Sequence, residues 1–249
     1  MKYIKKYKSP NYNSRKNCKI KFIIIHYTAL KNSDDAISFL CNPSKKVSSH
    51  YLITQKGQIY LLVDEKFRAW HAGLSKWENL SDINSHSIGI ELDYSNYKSN
   101  NHFSKKLIIA LKKLVNKIKI KYKIDEKYIL GHSDIAPYRK IDPGPKFPWL
   151  SLINNKLLFK INKVDHKLIY TFLNWLNFYN INTERKRSIF ILAYIGYDTS
   201  NALKDLKSYN KLINAYRAKY INLKKVTKKN KETSNFLLKH FINLVLTQK

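Results

Sequence analysis

Hydrophobic and polar positions follow two different periods along the first part of the chain. The run Lys21–Ile25 is short, apolar and rich in β-branched residues, which predicts a buried strand that ends at His26. The stretch Ser87–Tyr94 alternates between apolar and other residues with the period of a strand. One face of that strand would carry Ile88, Ile90 and Leu92, and the other would carry Gly89, Glu91 and Asp93.

Further segments continue this alternation of strands and helices. The stretch Ser49–Val63 predicts two strands around a glycine turn. One helix is expected to begin after Ser33, whose side chain would cap it, and a longer amphipathic helix is expected over Ser104–Tyr122. The stretch Lys127–His132 predicts another short strand. The pattern therefore favours an α/β domain over residues 1–155, with a mixed central sheet flanked by helices.

Only helical periodicity follows after about residue 156. Amphipathic helices are predicted over Asp165–Tyr179, Thr183–Asp198, Leu203–Tyr220 and Glu232–Val245. Thr183 would cap the second of these helices, and a lysine-rich connector over residues 223–231 separates the last two. The sequence thus predicts a small all-α domain over residues 164–249.

The composition indicates a globular protein with a strongly basic surface. Hydrophobic residues make up 44% of the chain and aromatic residues 13%, enough to build a core. The net charge is +30, with 28 basic and 12 acidic residues over 1–152 and 19 and 5 over 153–249. Such a surface favours polyanions such as nucleic acid, anionic lipid headgroups or acidic cell-wall polymers. A genome rich in A and T would also enrich lysine, so the partner stays open.

Cysteine spacing and hydropathy exclude several classes of protein. Cys18 and Cys41 stand outside any CxxC pattern, which excludes a zinc finger and allows one disulfide. The N-terminus is basic but lacks the apolar segment of a conventional signal peptide, and no apolar run is long enough for a transmembrane segment. These patterns leave both a cytoplasmic and a periplasmic location open.

Glycine and proline, which free and restrict the backbone, are concentrated in one loop. Half of the glycines and prolines lie between Gly131 and Pro148. His26 and His132 each end a predicted strand, and Asp142 lies within this loop. Two imidazoles and a carboxylate form a three-ligand zinc site that keeps a fourth position for water. Since the loop is stiff, it could hold the carboxylate in place.

Residue types alone leave alternatives to this zinc site. Judged by spacing alone, the ligands could equally include His50, His71 or His86. Asp142 precedes Pro143 and also suits an ordinary turn.

Two more residues extend the predicted site. Glu91 lies on the less apolar face of its strand, where a carboxylate could orient and deprotonate the zinc water. Lys140 precedes Asp142 by two positions, so in extended backbone both side chains share a face. Its ammonium could then stabilise an oxyanion. An exposed strand carboxylate and one more surface lysine are the plainer interpretations.

Five stretches in this order resemble the zinc-dependent N-acetylmuramoyl-L-alanine amidases of the type 2 family, in particular its AmpD/AmiD branch. They read IIIHYTA, SSHYLITQKGQIYLLV, RAWHAG, NSHSIGIELDY and GHSDIAPYRKIDPGPKFPW. The resemblance runs from about Ile23 to Leu150. It implies cleavage of the amide between N-acetylmuramic acid, or its 1,6-anhydro form, and L-alanine of the peptidoglycan stem peptide.

The resemblance also implies roles for individual residues. His26, His132 and Asp142 match the ligands of one zinc ion per chain, and Glu91 and Lys140 match the residues that activate water and stabilise the oxyanion. The motifs associated with the substrate groove contain His50, Trp70, His71 and Asn84.

The helical part resembles, more distantly, a three-helix peptidoglycan-binding domain. The aromatic–Gln pair usual in that domain is replaced here by Tyr216 and Arg217. A helical module that only packs against the amidase is the alternative. For the whole chain, the alternatives are a peptidoglycan recognition protein with little turnover, a nucleic-acid-binding protein, and a hydrolase that uses Cys18 or Cys41. No nucleic-acid partner is expected, because zinc-finger spacing and an aromatic RNA-binding signature are both missing.

Overall fold

A mixed sheet of five strands forms the centre of the structure, a computed structural model that describes residues 1–95, 102–221 and 229–247. The described residues form the strands β1 (Tyr12–Ser14), β2 (Phe22–Tyr27), β3 (Tyr51–Ile53), β4 (Ile59–Leu61), β5 (Phe67–Ala69), β6 (Ser87–Leu92) and β7 (Ile129–Gly131). The central sheet has the order β4-β3-β6-β2-β7, in which only β3 and β4 pair antiparallel. Strands β1 and β5 form a separate antiparallel pair. The mixed sheet predicted from the sequence is confirmed.

The register of β2 and β6 separates an apolar face from a face that carries functional groups. Ile25 pairs with Ile90, and His26 pairs with Glu91. Residues that pair across two parallel strands point to the same side of the sheet, so the odd and even positions of β2 face different neighbours. The alternation predicted for Ser87–Tyr94 therefore places Glu91 beside His26.

Two helices cover the sheet, and a capping side chain marks the start of each. Helix α3 (Lys105–Tyr122) begins at its cap Ser104 and packs against the apolar face of the sheet. Helix α1 (Ser33–Leu40) is capped by Asn32, whose side chain accepts from two backbone N–H groups. The predicted cap at Ser33 is wrong by one residue, because the longer Asn side chain takes that role and Ser33 becomes the first helical residue.

The remaining helices lie mostly in the second half of the chain. They are α2 (Ile83–His86), α4 (His132–Ile135), α5 (Trp149–Ile153), α6 (His166–Phe178), α7 (Glu184–Ile195), α8 (Ser200–Lys204), α9 (Leu206–Tyr220) and α10 (Lys229–Thr247). Thr183 caps α7 as predicted. The helix expected over Leu203–Tyr220 is two helices, because Asp205 adopts an extended conformation and caps the second. The lysine-rich connector at 223–231 lies largely outside the described residues.

One apolar core joins the sheet to these helices. Phe22, Ile24 and Leu130 of the strands belong to the same buried cluster as Leu192 and Tyr216 of the helical part. The face of β2 that carries His26 is therefore continuous with the helical part. Within the described ranges, no helix is both long and apolar enough to cross a membrane.

Candidate metal centre and active-site cleft

Two imidazole rings and one carboxylate meet at the carboxyl end of the sheet. Strands β2 and β7 are parallel neighbours, so His26 near the end of β2 and His132 after β7 lie at the same edge. Their Nδ1 atoms are 3.0 Å apart. Asp142 Oδ2 lies 3.3 Å from His26 Nδ1 and 3.2 Å from His132 Nδ1. The structure thus brings together the three predicted ligands, all of them buried.

The outer partners of the two histidines determine where their protons lie. His132 Nε2 is 3.1 Å from the Ala72 carbonyl oxygen, which can only accept, so Nε2 carries the proton. Ser87 Oγ donates to a backbone carbonyl at 2.6 Å and therefore accepts from His71 Nε2 at 3.1 Å. His71 Nδ1 is then left to accept from His26 Nε2, 3.1 Å away. The Nδ1 atoms of both candidate ligands consequently present lone pairs.

This arrangement fits a metal ion. Two imidazole lone pairs and a carboxylate oxygen face one another at 3.0–3.3 Å, which is repulsive unless a cation lies among them. The ligand atoms of a tetrahedral zinc ion, with bonds of about 2.0–2.1 Å, stand about 3.3–3.4 Å apart. The donor set and its spacing therefore suit zinc, and the outer hydrogen bonds are of the kind that orient metal-bound histidines.

The protonation states agree with ligand behaviour. Burial, together with the neighbouring His132, lowers the pKa of His26 to about 4. Burial and the adjacent imidazoles hold the pKa of His71 well below its usual range. Burial raises the pKa of Asp142, but the adjacent His132 and His26 lower it by more, so the net shift is downward. Neutral imidazoles and an ionised carboxylate are the forms that bind a metal.

A cleft of about 390 Å³ opens above the three residues, and Glu91 and Lys140 both line it. Within the described part of the chain, Glu91 Oε2 is buried and has no hydrogen-bond partner. Burial and the negative charge of Asp142 raise the pKa of Glu91 to about 8, although Lys140 opposes the shift. The charge of Lys140 also lowers the pKa of His26, which places this ammonium within electrostatic reach of the site.

Two glycines allow the site to close around its ligands. A Cβ on Gly89 would lie 2.5 Å from Cγ of His71, so only glycine lets that ring pack against β6. A Cβ on Gly131 would lie 2.7 Å from Cδ of Pro143, the residue after Asp142. The glycine at position 131 therefore has a direct steric cause, since the end of β7 and the loop touch beside His132.

The four residues predicted for the substrate groove occupy different places. His71 lines the cleft. His50 is fully buried: its Nδ1 accepts from the Gly89 N–H at 3.0 Å, and its Nε2 donates to the Phe67 carbonyl at 3.1 Å. Asn84 Oδ1 accepts from the His71 and Ala72 N–H groups at 3.0 and 2.8 Å.

The fourth, Trp70, is half-buried, and its Nε1 donates to Asn13 Oδ1 at 2.5 Å. Trp70, His50 and Asn84 are not among the residues that line the cleft. Contact of the four with substrate stays a prediction.

Sequence reasoning missed the residues that support the site from behind. Asp134 Oδ2 accepts from the Gly131 N–H at 2.7 Å and from Lys219 Nζ at 2.9 Å. Its Oδ1 accepts from the Tyr197 hydroxyl at 2.6 Å. Lys219 and Tyr197 belong to the helical part, so hydrogen bonds from the helical part fix the segment that carries His132. One lysine among very many gave no sequence signal for this contact.

Comparison with known proteins identifies the family. The model of the N-acetylmuramoyl-L-alanine amidase family, Amidase_2, matches residues 16–145. This chain belongs to that family. The matched range contains every residue predicted for the metal site and the cleft.

Two relatives and two solved structures show how far the similarity extends. AmiD of Escherichia coli K12 is 40% identical over 147 residues, which span 54% of this chain and 52% of AmiD. AmpD of Haemophilus influenzae, a 1,6-anhydro-N-acetylmuramyl-L-alanine amidase, is 36% identical over 160 residues, 57% of this chain and 85% of AmpD. The structure of E. coli AmiD with anhydro-N-acetylmuramic acid-L-Ala-D-γ-Glu-L-Lys superposes with a TM-score of 0.72 at 28% identity, covering 95% of this chain and 92% of AmiD. AmpDh3 of Pseudomonas aeruginosa gives 0.71 at 25% identity, covering 95% and 94%. The fold likeness therefore includes the helical part.

Proposed function

We propose that this protein is a zinc-dependent N-acetylmuramoyl-L-alanine amidase. Its substrate would be the amide between N-acetylmuramic acid, or its 1,6-anhydro form, and L-alanine in peptidoglycan or muropeptides. The observation that carries the proposal is the convergence of two imidazole lone pairs and a carboxylate near Glu91, whose Oε2 is buried and has no hydrogen-bond partner among the described residues. The muropeptide bound in the AmiD structure and the names of the AmpD relatives support the substrate class.

In this proposal His26, His132 and Asp142 hold one zinc ion. Zinc at such a site polarises a substrate carbonyl and lowers the pKa of water. The lowered pKa values keep His26 neutral and Asp142 ionised, so the carboxylate supplies one negative charge to the ion. His71 and the Ala72 carbonyl fix the orientation of the two imidazoles through their Nε2 protons.

Glu91 acts as the general base and then as the general acid. Oε2 is buried and unpartnered among the described residues, so it can accept a proton from water. Because burial and Asp142 raise the pKa of Glu91 to about 8, the carboxyl can also return that proton near neutral pH. The water oxygen forms a bond to the acyl carbon, the C–N bond breaks, and the alanine nitrogen takes the proton. The products are a muramic carboxylate and a free alanyl amine.

Lys140 stabilises the negative charge that develops on the carbonyl oxygen. Its side chain lines the same cleft as Glu91 and Asp142 and makes no hydrogen bond or ion pair with the residues that the structure describes. A free ammonium in a partly closed cleft can direct its charge at the substrate. Cys18 and Cys41 do not line the cleft, which disfavours a cysteine hydrolase.

We further propose that residues 1–155 form the catalytic domain and that residues 164–249 form the helical domain. The helical domain completes the core behind His132, and its basic surface would favour attachment to anionic cell-wall polymers. His50, Trp70, His71 and Asn84 are assigned to the walls and support of the groove.

Product analysis by mass spectrometry tests the proposed function. The protein is incubated with intact sacculi and with purified anhydro-muropeptide, each with and without a chelator. Release of free stem peptide beginning with L-alanine, abolished by the chelator and restored by Zn²⁺, is the expected result. Tight binding of muropeptide without release would instead indicate a recognition protein.

A further inference from the structure

A second cavity lies in the helical part, between helices α7, α9 and α10. Its volume is about 590 Å³, and it shares no lining residue with the cleft above the metal centre. Among the described residues that line it, Glu184, Arg185 and Arg217 carry charged side chains, and Asn210 and Asn214 carry amides. These charged and amide groups suit the cavity to a small hydrophilic ligand.

Arg217 lines this cavity, and its guanidinium has no anionic partner in the part of the chain that the structure describes. The residue is only 7% exposed, and among the described residues its Nε is buried without a hydrogen-bond partner. No ion pair of the described residues includes Arg217; the Lys219 ammonium, two positions along the same helix, pairs with Asp134.

The other buried cations of the described chain are fully provided with acceptors. Arg15 donates to the carbonyl oxygens of Glu65, Asn84, Ser85 and Ser87. Lys219 Nζ donates to Asp134 and to the Ile129 carbonyl. A buried charge without partners is costly, and the fold avoids it at both of these positions. Among the described buried cations Arg217 is therefore the exception, and it borders this cavity.

Glu184 limits what can bind there. It lines the same cavity without forming an ion pair with Arg217. Its negative charge would repel a polyanion, whereas a ligand with one anionic group could reach Arg217 and leave Glu184 in solvent. Asn210 and Asn214 offer amide groups at the exposed side of the cavity for further hydrogen bonds.

We propose that this cavity is a binding site for a small ligand that carries one oxyanion group, a carboxylate or a phosphate, held by the Arg217 guanidinium. Guanidinium binds such groups through paired, charge-assisted hydrogen bonds. The site is separate from the amidase cleft, so the proposal does not depend on whether the chain hydrolyses muropeptides.

Arginine side-chain NMR of the full chain tests the site directly. The chain has six arginines, so the Nε–H signals can be resolved, and the signal lost in Arg217→Gln identifies Arg217. Acetate and inorganic phosphate are titrated separately against sodium chloride at constant ionic strength. The Arg217 signal should shift along a saturable one-site curve with acetate, with phosphate or with both, and the three patterns identify the anion.

Two variants make the result decisive. In Arg217→Lys, followed through the backbone amide signals of α9 because the Arg217 side-chain signal is lost, the apparent affinity should weaken about tenfold or more, since the variant removes the paired donors but keeps the charge. Lys207→Gln removes an exposed charge from the same helix and should leave the affinity unchanged. The site is overturned if neither anion moves the Arg217 signal, or if the shift grows linearly without saturation. Equal weakening by Lys207→Gln would also overturn it, because the anion would then report only the basic surface. The wild-type titration decides the matter even if the Arg217 variants fold poorly.

Discussion

Lys219 Nζ lies 2.9 Å from Asp134 Oδ2, with both side chains no more than 2% exposed. This buried pair joins helix α9 to α4, the short helix that begins at His132 and contains Asp134. Asp134 also accepts from the Gly131 N–H, directly before His132. The helical part and the metal centre are therefore coupled through one carboxylate.

Lys219→Met should destabilise the whole chain. It leaves the Asp134 carboxylate buried without its cation, and breaking one half of a buried pair costs about 3–5 kcal/mol. Urea unfolding measures the difference, and Lys207→Met on the exposed side of the same helix is the control. Equal unfolding midpoints for the two variants would show that the pair does not stabilise the fold.

Gly89→Ala should disturb the metal centre without unfolding the sheet. The added Cβ would lie 2.5 Å from the His71 ring, which must move and thereby lose its hydrogen bond to His26. Loss of such an outer partner typically lowers metal affinity about 10- to 100-fold. Competition with a zinc chelator measures the affinity. Ile88→Val, on the opposite face of the same strand, should leave it unchanged.

His240 should make the folded state sensitive to acid. Burial, helped by the charge of Lys219, lowers the pKa of His240 to about 3 from an ordinary value of 6.5. Phe159, Tyr216 and Tyr220 surround the ring. The unfolded chain therefore binds a proton that the folded chain resists, and stability falls as the pH drops from 6.5 toward 3.

The variant His240→Gln isolates this contribution. Below pH 6.5 the difference in unfolding free energy between wild type and variant should shrink by up to about 1.4 kcal/mol per pH unit. Urea unfolding at pH 7.5 and pH 5 provides the comparison, with the exposed His166→Gln as control. A difference that stays constant between the two pH values would contradict the prediction.

Glu91→Gln and Lys140→Ala should both retain zinc and lose turnover. Neither side chain is among the three converging ligand atoms, yet both line the cleft. Losing one oxyanion donor costs about 100- to 1,000-fold in kcat. Kinetics on a soluble muropeptide, with zinc measured on the same samples, test both roles.

Lys146→Ala, an exposed lysine of the same loop, is the matched control and should remain active. Normal kcat in Lys140→Ala would make Lys140 a surface lysine. Loss of zinc in Glu91→Gln would make Glu91 a ligand or a support for one.

The sequence could predict the elements because local patterns determine them. Alternation in Ser87–Tyr94 placed Glu91 on the correct face, and the Gly/Pro-rich loop indicated where Asp142 would lie. It could not predict contacts that depend on packing between distant segments. His71 as the partner of His26 and Lys219 as the partner of Asp134 both required the three-dimensional structure. The helix break at Asp205 was missed because one capping side chain outweighed a continuous helical period.

Zinc content measured beside turnover, on one preparation before and after chelation, tests the central claim most directly. We expect one zinc ion per chain, loss of stem-peptide release as zinc is withdrawn, and recovery in proportion to zinc returned. In His132→Ala both zinc and turnover should be lost together, while the folded core persists. Full turnover by a preparation shown to contain no metal would contradict the account.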